Sequence, residues 1–250
     1  MKFEIFTILP EIFSPYLSAS ILDKAAKKGL VEFNLHNIRD YTNDSHHTTD
    51  DTPYGGGGGM VMKPEPIFDA VESVTGTPPQ CPVLLMTPQG KVFDQELAYT
   101  LAEEPQVAII CGRYEGYDER IREHLVTHEV SIGDFVLTGG ELPALLVMDA
   151  ITRLLPGVLG DPTGAIDDSH SSGLLEYPHY TRPVEYRGWR VPDVLLSGDH
   201  QKIEDWRTIQ AIERTYKKRP DMILKFNPEE LSKKPRAFLN DLLKKSPNKS

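Results

Sequence analysis

Two apolar periodicities alternate along the first two thirds of the chain. Residues 3–9 (Phe-Glu-Ile-Phe-Thr-Ile-Leu) predict a strand, ended by Pro10. Residues 13–28 follow with amphipathic helical spacing, and Gly29 stands where a helix stops. Residues 31–38 alternate apolar and polar positions, as a half-buried strand does. Residues 40–60 show no apolar periodicity and hold Pro53 and five successive glycines, so they predict a loop. Helices are expected over 66–74, 94–103, 115–125 and 141–154, and strands over 83–86, 107–111, 129–131 and 135–137. Strands alternating with helices predict an α/β fold, a mostly parallel sheet covered on both faces.

Beyond position 158 the pattern changes. Residues 159–172 are rich in Gly, Asp and Ser and lack periodicity, which predicts an exposed, mobile linker. After an irregular stretch around Pro178, two helices are expected at 200–218 and 228–244. The expected division is a body over 1–158, a linker over 159–175 and a small helical module over 176–250.

Charge follows the same division. The net charge is −10, yet residues 1–175 hold 11 basic against 26 acidic side chains, while residues 176–250 hold 16 against 11. An acidic body with a basic tail keeps an RNA partner open, with phosphate contacts concentrated in the tail. The competing view is a solvated, lysine-rich pair of helices. Apolar runs such as 144–148 are too short to span a bilayer. Glu4 interrupts any secretory signal, and Cys81 and Cys111 offer no disulfide framework. A cytoplasmic protein with buried, reduced thiols is the expectation.

Candidate chemistry lies at two strand ends. Strand 107–111 runs into Gly112-Arg113-Tyr114-Glu115-Gly116, and strand 135–137 into Thr138-Gly139-Gly140-Glu141. Glycine turns at strand ends describe a small-molecule pocket at the carboxyl edge of an open sheet. The run from Gly55 to Gly59 lacks the Lys-Ser or Lys-Thr of a phosphate loop, and is either a flexible connector or a binding loop. His46 and His47 near Asp44, Asp50 and Asp51 lack the regular spacing of a zinc site, so no metal site is assigned. Arg153 closes the helix beginning at Glu141, a common place for arginine. Asp168 lies in the linker, where a carboxylate ordered by substrate could serve as a general base. Tyr177, Tyr180, Tyr186, Trp189 and Trp206 alternate with Arg182, Arg187, Arg190 and Arg207. A helical core accounts best for the tryptophans, RNA contacts for the arginines.

With these residues in view the chain resembles the bacterial tRNA (guanine-N1)-methyltransferases, of the knotted SPOUT class. The resemblance covers nearly the whole length. It rests on Asp50-Asp-Thr-Pro-Tyr-Gly-Gly-Gly, Gly112-Arg-Tyr-Glu-Gly, Ser131-Ile-Gly-Asp-Phe-Val-Leu-Thr-Gly-Gly-Glu-Leu-Pro, Pro178-His-Tyr-Thr-Arg-Pro and Val194-Leu-Leu-Ser-Gly-Asp-His. The chain departs at Gly58, where proline is frequent, and at Phe135, where tyrosine is. The resemblance implies a deep trefoil knot in the body and an obligate homodimer with sites at the subunit interface. It implies S-adenosylmethionine (AdoMet) held by Thr87, Pro88, Gly90, Gly112, Tyr114, Glu115, Gly116, Ile132, Gly133, Asp134, Phe135, Val136, Leu137, Gly139, Gly140 and Pro143. It implies a tRNA with guanosine at position 37, touched by Asp50, Tyr54, Arg113, His179, Arg182 and Ser197. Asp168 would be the general base and Arg153 the stabiliser of charge on O6. A magnesium (Mg2+) requirement follows by family analogy alone. Rival readings are a non-catalytic RNA-binding protein on the same scaffold and a SPOUT enzyme acting on another atom.

Overall fold

The computed structural model describes residues 1–160, Gly164 and residues 168–245. The chain divides into two compact units, residues 1–162 and 163–250. The first unit runs β1 (Lys2–Thr7), α1 (Ser14–Leu17), α2 (Ser20–Lys27), β2 (Glu32–Asn37), β3 (Asp50–Asp51), β4 (Val61–Met62), α3 (Pro64–Thr75) and β5 (Val83–Val92). It continues through α4 (Gln95–Ala102), β6 (Gln106–Cys111), α5 (Glu119–His124), β7 (His128–Ser131) and α6 (Glu141–Thr152).

Five strands form the main sheet in the order β2-β1-β6-β5-β7, and every neighbouring pair is parallel. Parallel strands need crossovers, and the helices that make them cover both faces. Strand β5 shows how: Leu84 and Met86 face one core, with Val147, Met148 and Ile151 of α6. Val83 and Leu85 face the other, with Ile67, Ala70 and Val71 of α3 and Ile121 of α5. Burial on both faces explains why these strands read as unbroken apolar runs.

Several expected elements are corrected. Residues 135–137 are not a strand. Gly133, at φ +137°, turns the chain away from the sheet after β7, an edge strand with only β5 beside it. Phe135, Val136 and Leu137 are consequently 54%, 82% and 40% exposed. The expected helix over 13–28 is two helices, interrupted where Ser20 takes φ +54°. The expected helix over 115–125 begins only at Glu119, N-capped by Asp118, because residues 113–116 are a turn. Strand β5 is longer than expected. It pairs with β7 through Met86, leaves the ladder, and rejoins at Lys91. Residues 87–90 form a bulge in the β5–β7 ladder.

The second unit holds a short hairpin of β8 (Glu185–Tyr186) and β9 (Trp189–Arg190), then α7 (Asp193–Leu196), α8 (His200–Lys218), α9 (Pro220–Lys225) and α10 (Lys233–Lys245). Its core gathers Leu174, Ala211, Ile212, Ile223, Leu231 and Leu239. The expected linker over 159–175 falls partly outside the described residues, but its far end is anchored, since Leu174 is buried in this core. The expected helix over 228–244 starts at Lys233, after a single 3-10 turn at Pro228–Glu230. Trp189 is not a core residue; it is 70% exposed.

One contact joins the end of β6 to the start of α6. The Gly140 N–H donates to the Gly112 carbonyl at 2.9 Å. A Cβ on Gly140 would stand 2.8 Å from Cys111 Cα and 2.9 Å from Gly112 N. Both obstacles are backbone and cannot swing aside. Gly140→Ala is therefore expected to cost about 1–3 kcal/mol of stability, the range for overpacking a tight site. Urea unfolding of the variant beside the parent chain measures it.

Candidate functional site

Three strands, β5, β6 and β7, end side by side at the carboxyl edge of the sheet, and a pocket opens there. The order of connection explains its position. The chain passes from β5 inward to β6, then back over β5 to the edge at β7. Such a reversal leaves the loops after adjacent strands diverging, and a crevice opens between them. Residues 87–89 form one wall, the 112–117 turn a second, and the 130–140 segment a third, closed by Pro143 of α6.

These walls gather most of the residues singled out by sequence. Thr87, Pro88, Gly112, Tyr114, Glu115, Gly116, Ile132, Gly133, Phe135, Val136, Leu137, Gly139, Gly140 and Pro143 all line the pocket, with Arg113 beside them. Gly90 and Asp134 do not. Gly90 backs onto the Glu129 carbonyl of β7, where any side chain would collide.

Sequence reasoning missed Tyr117, Arg122 and Glu141. The Tyr117 hydroxyl donates to the carbonyls of Met86 at 3.2 Å and Ile110 at 3.4 Å, tying β5 to β6 beneath the pocket. Burial pushes its phenol well above the ordinary value, and does the same to the Cys111 thiol beside it. Arg122 pairs with Glu129 and Glu119, and its Nη2 donates to Thr87 Oγ1 at 3.2 Å. No periodicity marks an arginine on a short helix as a pocket residue. Glu141 is only 1% exposed. Its Oε1 accepts from Arg113 Nε at 3.1 Å and from the Thr7 hydroxyl at 2.9 Å. Arg113 Nη2 also stands 2.9 Å from Glu141 Oε2, a charge contact outside hydrogen-bond alignment. Arg113 Nη1 donates to the Thr138 carbonyl at 3.3 Å. This ion pair thus fastens the turn after β6 to the turn before α6. The motif that contains Glu141 held the signal, but an acid in a first helical turn is ordinary.

The glycine loop is tethered to the same wall. Strands β3 and β4 pair antiparallel at its base, Asp50 opposite Met62. Glu115 N–H donates to the Met60 carbonyl at 3.0 Å, and Met62 N–H to the Gly116 carbonyl at 2.9 Å. Tyr54 itself is fully exposed. Asp44 is a turn residue: Thr48 and His46 N–H groups donate to its carboxylate and hold its pKa down. Among the described residues no group of three side chains is placed to hold a metal ion.

Of the remaining candidates, Arg153 belongs to the first unit and Asp168, His179, Arg182 and Ser197 to the second. Arg153 caps the end of α6, its N–H donating to the Asp149 carbonyl at 3.2 Å. Asp168 belongs to the second unit, in a turn where Ser171 N–H donates to its carbonyl at 3.2 Å. His179 Nε2 lies 2.7 Å from Glu176 Oε1, and Arg182 is exposed. The Ser197 hydroxyl donates to the Val194 carbonyl at 2.7 Å at the end of α7.

Comparison with known proteins now decides the family. The family model described as tRNA (Guanine-1)-methyltransferase TrmD matches residues 1–225. The chain belongs to this family. Three relatives, each named tRNA (guanine-N(1)-)-methyltransferase, span nearly the same length. The Brevibacillus brevis protein is 60% identical over 225 residues, 90% of this chain and 92% of the relative. The Bacillus subtilis protein is 56% identical over 224 residues, 89% and 92% respectively. The Dehalococcoides mccartyi protein is 53% identical over 244 residues, 97% of each. Among the described residues no helix of this TrmD-family chain is long and apolar enough to cross a membrane.

Removing the Glu141 carboxylate would leave the half-buried Arg113 guanidinium and the Thr7 hydroxyl without it. Glu141→Ala is expected to cost about 3–5 kcal/mol, the price of breaking a buried pair from one side. Glu141→Gln keeps an acceptor and should cost less. Equal urea midpoints for Glu141→Ala and the parent chain would refute the clamp.

Proposed function

We propose that the chain methylates N1 of guanosine 37 in tRNA, using AdoMet bound at the ends of β5, β6 and β7. The observation that carries this reading is the convergence of three separated motifs on one pocket, in a chain of the TrmD family. The pocket suits the ligand's chemistry. Exposed apolar side chains at its mouth (Phe135, Val136 and Leu137) would cover a purine ring, and backbone groups at the strand ends would read its polar edge. The Glu115 carboxylate in the wall complements a positive sulfonium. When bound, AdoMet supplies an electrophilic methyl group.

The chain's own residues then have to make guanine N1 a nucleophile. N1 carries a proton and is a poor nucleophile until that proton leaves. Asp168 is assigned as the general base that takes it. Arg153 is assigned to the negative charge that grows on O6, which stabilises the deprotonated base. Arg113, held by Glu141, and Glu115 would seat the guanine, with Asp50 and Tyr54 on the adjoining loop. His179, Arg182 and Ser197 of the second unit are assigned to the tRNA, in keeping with the basic balance of residues 176–250. Mg2+ is kept as a requirement by analogy, with no protein ligand assigned.

Two further assignments belong to this reading. The body is inferred to be knotted, in keeping with the 132–140 segment that returns from the sheet edge to place Gly140 on Cys111 and with α6 packing against α4, the helix joining β5 to β6. The chain works as a homodimer with its sites at the interface. In support, α6 is apolar almost all round, with Leu142 62% and Leu146 47% exposed. A groove lined by Ile12, Val136, Leu137 and Leu142 runs on from the pocket. A helix apolar on every side asks for a partner.

Labelled AdoMet and an unmodified tRNA transcript with guanosine at position 37 test the activity, against the same transcript carrying adenosine there. Methyl incorporation only into the guanosine transcript is expected; equal incorporation refutes N1 specificity. Asp168→Asn should bind AdoMet with near-parent affinity while turnover falls about 10²–10⁴-fold, as for loss of a general base. Turnover at the parent rate would remove Asp168 from the mechanism.

A further inference from the structure

The second unit carries an aromatic surface that its core does not use. In the β8–β9 hairpin, Tyr186 stands opposite Trp189 and Glu185 opposite Arg190. The two residues between the strands, Arg187 and Gly188, take φ +53° and +82°. Positive φ at both central positions is the turn whose twist fits two antiparallel strands. Holding an arginine there opposes its usual preference, so the tight turn is a costly choice. The Val191 N–H donates to the Val184 carbonyl at 2.9 Å and closes the open end.

This frame presents two rings on one face. The Tyr186 and Trp189 centroids are 6.3 Å apart with planes at 49°, and the residues are 55% and 70% exposed. The Arg187 guanidinium lies 5.1 Å from the Tyr186 ring centroid. Arg190 is exposed, and its pairing with Asp193 at 3.5 Å is a solvent-screened contact of little strength. Large rings left in water beside guanidinium groups forgo the burial that usually fixes them. A two-stranded hairpin also gains little stability from holding them there. Their chemistry matches an unpaired nucleobase on a phosphate chain, where the ring stacks and the cations meet phosphates. The basic balance of residues 176–250, 16 basic side chains against 11 acidic, favours a polyanion over a protein partner here.

The geometry points to the Tyr186–Trp189 face as a stacking platform for one unpaired base of an RNA, with Arg187 and Arg190 on neighbouring phosphates. This rests on the tRNA-methylating reading above and adds to it a contact carried by the second unit.

Trp189 and Trp206 are the two tryptophans of the chain, so Trp206→Phe leaves Trp189 as the sole indole reporter. Its emission is expected to be quenched on titration with unmodified tRNA transcript. Trp189→Ala should weaken tRNA binding about tenfold, within the range found for lost base stacking, and Trp189→Phe should restore most of it. AdoMet affinity and the circular dichroism spectrum should stay at parent values, because the hairpin lies outside both cores. Unchanged emission at saturating tRNA, or parent tRNA affinity in Trp189→Ala, overturns the platform. So does a Trp189→Ala variant that changes sedimentation while binding tRNA normally, which marks the face as a protein contact. Parent chain that methylates tRNA beside a Trp189→Ala variant that binds it normally sinks the platform alone. Parent chain that transfers no methyl group sinks the enzymatic reading instead.

Discussion

The architecture depends on one approach of backbone to backbone. The chain leaves the sheet at β7, crosses the edge, and lays Gly140 against Cys111 and Gly112 at the end of β6. Only a residue without Cβ permits that distance. Because the approach is so close, the turns after β5, β6 and β7 become three walls of a single cavity. The Arg113–Glu141 pair holds the same junction from the side, so sterics and charge fix one geometry together.

A rigid junction has a consequence for ligand binding. Pocket groups that are backbone carbonyls and N–H groups at strand ends need no reorganisation to meet a purine edge. The exposed side chains at the pocket mouth, Val136 and Leu137, are apolar. Under the proposed function the first unit would hold the methyl donor, with Arg153, Arg113 and the 50–54 loop, and the second would carry Asp168 and a basic balance of side chains.

Much of the fold was legible in the sequence, because strands buried on both faces announce themselves as apolar runs between glycine turns. Residues 107–111 and helix 200–218 are found within a residue of where their patterns put them. The trio Phe135, Val136 and Leu137 misled for a physical reason. Residues that line a ligand pocket are as apolar as core residues, and periodicity does not distinguish an absent ligand from a packed neighbour. The break between α1 and α2 was hidden because amphipathic spacing persists across it. The glycine turns at 112–116 and 139–140 marked where the pocket lies, while Thr87, Pro88, Ile132 and the other non-glycine lining residues were named through the family resemblance. Arg122 and Glu141 could not be named, since their roles come from partners distant in sequence: Thr87 and Glu129 for one, Thr7 and Arg113 for the other. Trp189 was expected in a helical core because tryptophan is highly buried on average, but it stands on a two-stranded hairpin outside that core and is 70% exposed.

The central claim is that AdoMet sits where these three turns meet. A crystal structure of the chain grown with that compound tests it most directly. The account predicts ligand density bounded by Thr87, by residues 112–116 and by residues 132–140, with Gly140 still seated on Cys111. Density for the compound at any other place, with this cavity filled by the chain's own side chains, would contradict it.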